Sequence, residues 1–246
     1  MTNSNAVVDA FNCRNLVEMA DIAAALGKEM DEVSYRGQAR LAREKFLSDY
    51  LDAETGIFVD SVEVRHSSLH ANAIALAFSL VPTGRVDNIV AFLERKGMAC
   101  SVYFAQYLLE AFCAAGRADL AVRLMASSGN RSWRGMMDFG STITMEAWNV
   151  EVKPNLDINH AWGAAPVNII ARYLLGVTPI EAGYRKISVR PQLGGLKRIK
   201  GAVPTVQGRV LVDATESSLH VSVPSSARVL WKGRVQEVEA GEYDFK

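Results

Sequence analysis

Residues 131–163 gather the side chains with the clearest chemical potential in this 246-residue chain. The stretch holds three of the four tryptophans, one of the four histidines, and Glu146 between an apolar run and Trp148. Tryptophan, histidine and glutamate favour different environments, so together they make neither a plain core nor a plain surface. They suit a pocket in which flat aromatic faces stack on a sugar ring while a carboxylate and an imidazole point inward. The stretch therefore predicts a carbohydrate site.

Glu146 is the candidate catalytic residue. It follows threonines and apolar residues, which can supply both hydroxyl donors and an apolar flank; the alternative is a capping or solvated glutamate. His160 is a candidate sugar contact, with a helix-capping imidazole as the alternative, and Asn159 precedes it. The predicted pocket walls, for which an ordinary core position is the alternative, are the three aromatic residues Trp133, Trp148 and Trp162.

Further candidates lie outside this pattern. His70 and Tyr103 are predicted to line a pocket, and His66 and His70 share a helix face without a third ligand at suitable spacing. We therefore predict no metal and no cofactor. The spacing does not single out a second catalytic carboxylate among Asp60, Glu63, Asp138 and Asp157. Buried free thiols are expected at Cys13, Cys100 and Cys113, because their number is odd and none forms a CxxC pair.

The charge balance and apolar runs exclude some classes of partner. Lysine plus arginine and aspartate plus glutamate each number 27, and no basic stripe stands out. Nucleic acid and anionic membranes are therefore not expected as partners, because both require clustered positive charge. The apolar runs are shorter than the ~20 residues that span a bilayer. The polar start of the chain does not resemble a secretory signal. We therefore predict a cytoplasmic location, with a fragment that lacks its targeting segment as the alternative.

Amphipathic helices separated by glycines recur over the first two-thirds of the chain. Apolar spacing predicts helices over residues 5–26 and 29–50, and the later helices end near Pro82, Gly97, Gly116 and Gly129. No fixed repeat period accompanies them, which favours a ring of helical hairpins over a repeat array. After a last helix over about residues 161–175, alternating segments from Ile187 predict a small antiparallel β domain. The predicted domains are residues 1–180 and 181–246.

Several motifs resemble the end of a bacterial α-L-rhamnosidase. They are RSWRGMMDFGSTITMEAWN, NHAWGAAP and YLLGVTPIEAGYRKISVRPQLGGL, with weaker similarity in HSSLHANAIALAFSLVP, GMACSVYFAQYLLEAF and AGRADLAVRLM. The joint LLGVTPIEAGYRKISVRPQ is shared more widely among six-hairpin glycosidases, so TMEAW and NHAWG are the more specific signals. The resemblance implies a mainly α fold with a C-terminal β domain, in which a partial (α/α)6 helical-hairpin barrel precedes a small antiparallel β-sandwich.

The resemblance also implies roles for residues. Glu146 occupies the position of the general base that activates water in an inverting hydrolysis, and Met145 stands where a tryptophan is usual. His160, preceded by Asn159, matches a histidine that contacts the sugar. The implied activity is an enzyme, a glycoside hydrolase that removes terminal α-L-rhamnose from glycosides or polysaccharides.

One departure from the family pattern concerns the general acid. The family carries it on an earlier segment with an R-D-E-R core, and this chain has no such segment. The chain is therefore expected to be a fragment or truncated relative, to be inactive alone, and to need the other half of the barrel or to self-associate. Two alternatives stay open: a non-catalytic carbohydrate-binding or structural remnant, and another six-hairpin glycosidase or glycoside phosphorylase.

Overall fold

The computed structural model describes residues 4–246, which divide after Ala115 into two compact units. No helix among the described residues is long and apolar enough to cross a membrane. The three cysteines are buried thiols outside any disulfide of the described residues, which confirms the prediction for them.

The first unit is helical. Its helices are α1 (Ala6–Ala25), α2 (Glu29–Tyr50), α3 (Leu69–Ala77), α4 (Val86–Lys96) and α5 (Ala105–Ala114). The predicted α1 and α2 are confirmed, and they pack together as a hairpin across a turn at Gly27, whose φ is 67°. Ser68 caps α3 by accepting a hydrogen bond from the amide of Ala71 at 3.1 Å, the role expected of a serine before an apolar helical run.

A buried asparagine ties the loop after α2 to α3. Asn72 is 0% exposed, and its Oδ1 accepts from the Phe58 amide at 2.8 Å. Its Nδ2 donates to the carbonyl oxygens of Phe58 and Ser68, each at 2.9 Å. The Phe58 ring in turn stacks on Phe46, with ring centroids 5.1 Å apart. Asn72 therefore satisfies backbone groups that would otherwise be buried without partners.

Replacing Asn72 by alanine is expected to destabilise the protein by about 2 kcal/mol, because buried amide and carbonyl groups of Phe58 lose their partners. Urea unfolding measures the change. Asn88→Ala is the matched control, since Asn88 is exposed and its Nδ2 bonds a loop carbonyl, that of Thr55, at 3.0 Å. The control is expected to change stability by about 0.5 kcal/mol or less. Equal losses in the two variants would contradict the structural role of Asn72.

The second unit begins with short helices. They are α6 (Ala118–Met125), α7 (Trp133–Asp138) and α8 (Ala165–Ile169). The helix predicted over about residues 161–175 is confirmed from Ala165 to Leu174, where α8 continues directly into a π-helical turn (Ile170–Leu174), but Ala161–Gly163 form a separate 3-10 turn. Pro166 lies in the first turn of α8, where its missing amide proton is tolerated, so the helix begins there instead of at Ala161.

Eight strands complete the second unit. They are β1 (Val177–Pro179), β2 (Lys186–Val189), β3 (Arg198–Thr205), β4 (Gly208–Thr215), β5 (Leu219–Val223), β6 (Ser226–Trp231), β7 (Arg234–Val238) and β8 (Gly241–Phe245). They form two four-stranded sheets with the orders β1-β2-β6-β7 and β3-β4-β5-β8. In β5 the residues Leu219, Val221 and Val223 are buried and alternate with partly exposed ones, as expected where one sheet face packs inward.

The strand pairing departs from the prediction at two points. The pairing of β2 with β6 is parallel, with Ile187 opposite Ala227, whereas a purely antiparallel domain was predicted. The chain between them passes through the other sheet, which supplies the long connection that parallel neighbours require. In addition, β1 pairs with β2, with Val177 opposite Val189, so the β region begins before residue 181. We propose placing the domain division just before Val177.

Candidate functional site

Two separate backbone segments of the second unit bring the predicted site residues together. The amide of Glu146 donates to the carbonyl of Asp157 at 2.9 Å, and the amide of His160 donates to the carbonyl of Thr144 at 2.8 Å. The Thr144 hydroxyl also donates to the carbonyl of His160 at 2.8 Å. These bonds close the loop between Glu146 and His160, so that the two candidate functional residues lie at its base.

The carboxylate of Glu146 has a hydrogen-bond donor at each oxygen. The Lys153 ammonium donates to Oε1, and the Asp157 amide donates to Oε2 at 3.1 Å. The side chain is 15% exposed. The Lys153 contact, followed by the Asp157 amide, lowers the pKa of Glu146 below its usual value, because donors and positive charge favour the ionised form. Glu146 is therefore a carboxylate at neutral pH, as a general base must be.

His160 and Trp162 form an aromatic pair beside Glu146. Their ring centroids lie 4.2 Å apart with the planes at 44°, and the Trp162 indole Nε1 donates to the carbonyl of Glu146 at 3.2 Å. Trp162 is 43% exposed, so part of its ring is available to a ligand. Asn159 is exposed next to this pair. This arrangement places an imidazole and an aromatic face near the carboxylate, the elements predicted for a sugar site.

Trp133 and Trp148 have different environments. Their rings meet edge to face, with centroids 5.1 Å apart, and the Trp133 indole donates to the carbonyl of Gly163 at 2.7 Å. Trp148 is only 2% exposed, and Met145, in the position where the resembled family has a tryptophan, is fully buried. This burial matches the alternative of an ordinary core position for Trp148, whose ring packs edge to face on Trp133, and its role as a pocket wall stays a prediction.

A cavity that the sequence did not reveal lies along one wall of this region. Its volume is about 540 Å³, within the range of small-molecule sites. Trp133 and Thr144 line it together with Met136, Met137, Gly140, Ser141, Thr142 and Ile143. The only sequence signal is that the run GMMDFGSTI is apolar yet contains two glycines. Thr144 links this cavity to the site, since its hydroxyl bonds the carbonyl of His160.

Three potential ligand atoms for a cation converge at the same place. Donor atoms of Glu146, Asp157 and His160 lie within 4.8 Å of one another. Sequence spacing could not reveal this group because the residues share no helix. The Lys153 ammonium already neutralises Glu146, and His160 Nδ1 lies 3.7 Å from Asp157 Oδ2. We assign no metal to the group, and the prediction of none stays a prediction.

Two predicted pocket residues lie in the first unit. The His70 ring is 4.3 Å from the Phe104 ring, and partial burial lowers the pKa of the imidazole. Tyr103 is exposed and meets Tyr107 edge to face at 6.4 Å. Their participation in a sugar site stays a prediction.

The carboxylates considered as a general acid each have local partners. Asp60 Oδ2 lies 2.5 Å from His66 Nδ1, and its Oδ1 accepts from the Ser68 amide at 2.9 Å. Glu63 accepts from the Ser4 hydroxyl at 3.0 Å, and Asp138 pairs with Arg134 at 2.9 Å. Asp60 and Glu63 make these contacts from the loop before α3, and the contact of Asp138 lies on the surface of α7. Asp157 is 74% exposed, so it lacks the apolar surroundings that a general acid requires.

Comparison with known proteins gives the class and then the family. Solved structures of α-L-rhamnosidases share the fold. The enzyme of Streptomyces avermitilis complexed with L-rhamnose is 22% identical to this chain, and the enzyme of Dictyoglumus thermophilum is 20% identical. Each structure has a TM-score of 0.79 over 96% of this chain. This chain covers 26% and 31% of those chains. The predicted class, a partial helical-hairpin barrel followed by a β domain, is confirmed, with the parallel β2–β6 pairing as an amendment.

Sequence comparison defines the family. Residues 1–174 match the model of the bacterial α-L-rhamnosidase six-hairpin glycosidase domain, and residues 176–239 match that of the bacterial α-L-rhamnosidase C-terminal domain. Curated α-L-rhamnosidases from an Alteromonas species and from Streptomyces avermitilis are 25% and 28% identical over 91% and 72% of this chain. The chain belongs to the bacterial α-L-rhamnosidase family. It spans 26% and 18% of the length of those two relatives.

Proposed function

We propose that the protein containing this chain is a glycoside hydrolase that releases terminal α-L-rhamnose, with Glu146 as the general base of an inverting reaction. The observation that carries the proposal is the Glu146 carboxylate, held ionised by Lys153 and the Asp157 amide beside the His160–Trp162 pair. Family membership and the L-rhamnose-bound relative from Streptomyces avermitilis support the choice of sugar and favour it over other six-hairpin activities.

The proposed chemistry assigns one proton transfer to this site. Glu146 removes a proton from water as the water oxygen attacks the anomeric carbon, and the glycosidic C–O bond breaks on the opposite face. A separate carboxylic acid protonates the departing oxygen, so protons balance. His160 orients the sugar by hydrogen bonding, and Trp162 covers its C–H face.

Asp157 does not meet the requirements of that second carboxyl group. Inverting pairs are separated by about 6.5–9.5 Å to leave room for water, whereas Asp157 offers an oxygen within 4.8 Å of Glu146. Its exposure also leaves it without the apolar wall that keeps an acid protonated. We therefore propose that a carboxyl group other than Asp157 is the general acid.

Hydrolysis of a chromogenic aryl α-L-rhamnoside tests the proposed function directly. Proton NMR during the first turnovers should show β-L-rhamnose as the initial product, because inversion converts the α linkage into the β anomer. Initial release of α-L-rhamnose would contradict an inverting mechanism. Lack of cleavage by the protein, with rhamnose binding retained, would favour the second candidate, a non-catalytic carbohydrate-binding role, which the cavity beside Trp133 also supports.

We also propose that the 246-residue chain self-associates through α1 and α2 when it is studied alone. Met30 is 83% exposed, and the other exposed apolar residues of these helices include Val8, Ile22, Val33 and Leu41. Such exposed apolar surface favours association. Size-exclusion chromatography with light scattering should show concentration-dependent oligomers that Met30→Lys weakens, whereas the control Val206→Lys, at another exposed valine, does not. A monomer at every concentration would contradict this.

The other predicted partners and the location of the protein remain proposals. A rhamnose-containing oligosaccharide or glycoside is the proposed ligand, and the other half of the barrel is the alternative partner for the apolar helices. The cytoplasmic location stays a prediction of the sequence.

A further inference from the structure

We propose that Lys153 is a positioning residue that holds the Glu146 carboxylate in place for water activation. This inference rests on the proposed role of Glu146 as general base. No sequence motif pointed to Lys153, which lies in the loop between TMEAW and NHAWG. Its assignment comes from the contacts that the folded loop makes.

The loop places Lys153 through its backbone. The Lys153 amide donates to the carbonyl of Asn149 at 3.3 Å, and the carbonyl of Lys153 accepts from the Leu156 amide at 3.2 Å. Asn149 is itself held, since its Oδ1 accepts from the Val152 amide at 2.9 Å and its Nδ2 donates to the carbonyl of Asn130 at 3.2 Å. The stem of the lysine therefore starts from an ordered turn that directs its ammonium back to Glu146.

The two donors on Glu146 leave it able to act on water. A carboxylate has about four lone-pair directions, and Lys153 and the Asp157 amide use one on each oxygen. Two donors that come from different points of the loop restrict rotation of the carboxylate, which preserves the geometry needed for attack. The remaining lone pairs are available to a water molecule.

The same contact has a consequence for ionisation. A positive charge at hydrogen-bond distance favours the carboxylate form, so removing it must raise the pKa of Glu146. A base works only above its pKa, so the acidic limb of the pH profile should move to higher pH in a variant without the charge.

Lys153 has one alternative role. In that role its ammonium blocks Oε1 of Glu146 until substrate displaces it, and removal of the ammonium would increase turnover.

The test uses the purified protein and three variants. Lys153→Met removes the charge, Lys153→Arg keeps it, and Lys197→Met removes the charge of an exposed lysine in the β domain as the control. Carbon-13 NMR of labelled glutamate carboxyl groups, assigned with Glu146→Gln, measures the pKa of Glu146 in each. Rhamnoside hydrolysis across pH measures kcat and kcat/KM for the same proteins.

We expect Lys153→Met to raise the pKa of Glu146 and to shift the acidic limb of kcat/KM to higher pH by the same amount. At neutral pH its kcat should fall by about 10- to 100-fold, because the base is no longer held in place. Lys153→Arg should restore the position of the acidic limb and part of kcat, and Lys197→Met should match the unmodified protein.

Other results would overturn the inference. An unchanged pKa of Glu146 in Lys153→Met would show that the two groups do not interact, whether or not the protein is a hydrolase. An increase in kcat would establish the blocking role instead. A raised pKa in a protein that cleaves no rhamnoside would overturn the proposed function, and with it the catalytic meaning of Lys153, while leaving the ion pair intact.

Discussion

Replacing Glu146 by glutamine is expected to lower kcat for rhamnoside hydrolysis by about 10²- to 10⁴-fold, the usual contribution of a general base. The amide is nearly isosteric with the carboxylate but cannot accept a proton from water. KM should change little, because the carboxylate is proposed to act on water and not to hold the sugar. Steady-state kinetics with an aryl α-L-rhamnoside measures both constants.

The control for this variant is Glu151→Gln. Glu151 lies on the same loop, is exposed, and loses the same charge on substitution. It should retain the activity of the unmodified protein. Because Lys153 loses its partner in Glu146→Gln, circular dichroism and thermal unfolding must show that the fold persists. Full activity in a folded Glu146→Gln protein would remove Glu146 from the mechanism.

Replacing Gly176 by alanine is expected to destabilise the protein by about 2–5 kcal/mol. Gly176 has a φ of 72°, and a Cβ built on it would lie 2.0 Å from the carbonyl oxygen of Arg190. The left-handed conformation costs a non-glycine residue about 1–2 kcal/mol, and overpacking adds about 1–3 kcal/mol. The clash is with backbone, and the Arg190 amide also donates to the Gly176 carbonyl at 2.9 Å. The neighbouring chain therefore cannot move away freely.

Gly195→Ala separates the two contributions. Gly195 has a φ of 83°, and a Cβ there would meet no atom within 4 Å. The control should therefore lose only about 1–2 kcal/mol, the conformational cost alone. Urea unfolding of both variants gives the comparison. If the free energy of unfolding falls equally in both variants, the close approach of Gly176 to Arg190 does not contribute to stability.

Local patterns were sufficient for much of the fold. The apolar spacing of α1 and α2 and the alternation in β5 each depend on near neighbours in the chain, so the sequence displays them directly. The helix predicted over about residues 161–175 begins later than predicted, because the apolar pattern there continues through Pro166, which lies in the first turn of α8. The parallel pairing of β2 with β6 could not be predicted from local patterns either, because strand order depends on long-range packing.

The sequence by itself determined the fold class, the family, and the two residues on which a catalytic proposal depends, Glu146 and His160. Only the tertiary structure decided that Trp148 is buried while Trp162 stays accessible, and that Lys153 and the Asp157 amide converge on the Glu146 carboxylate. The physical reason is that residue type and spacing encode local conformation. Burial and the pKa of a carboxylate instead depend on which distant groups folding brings to it.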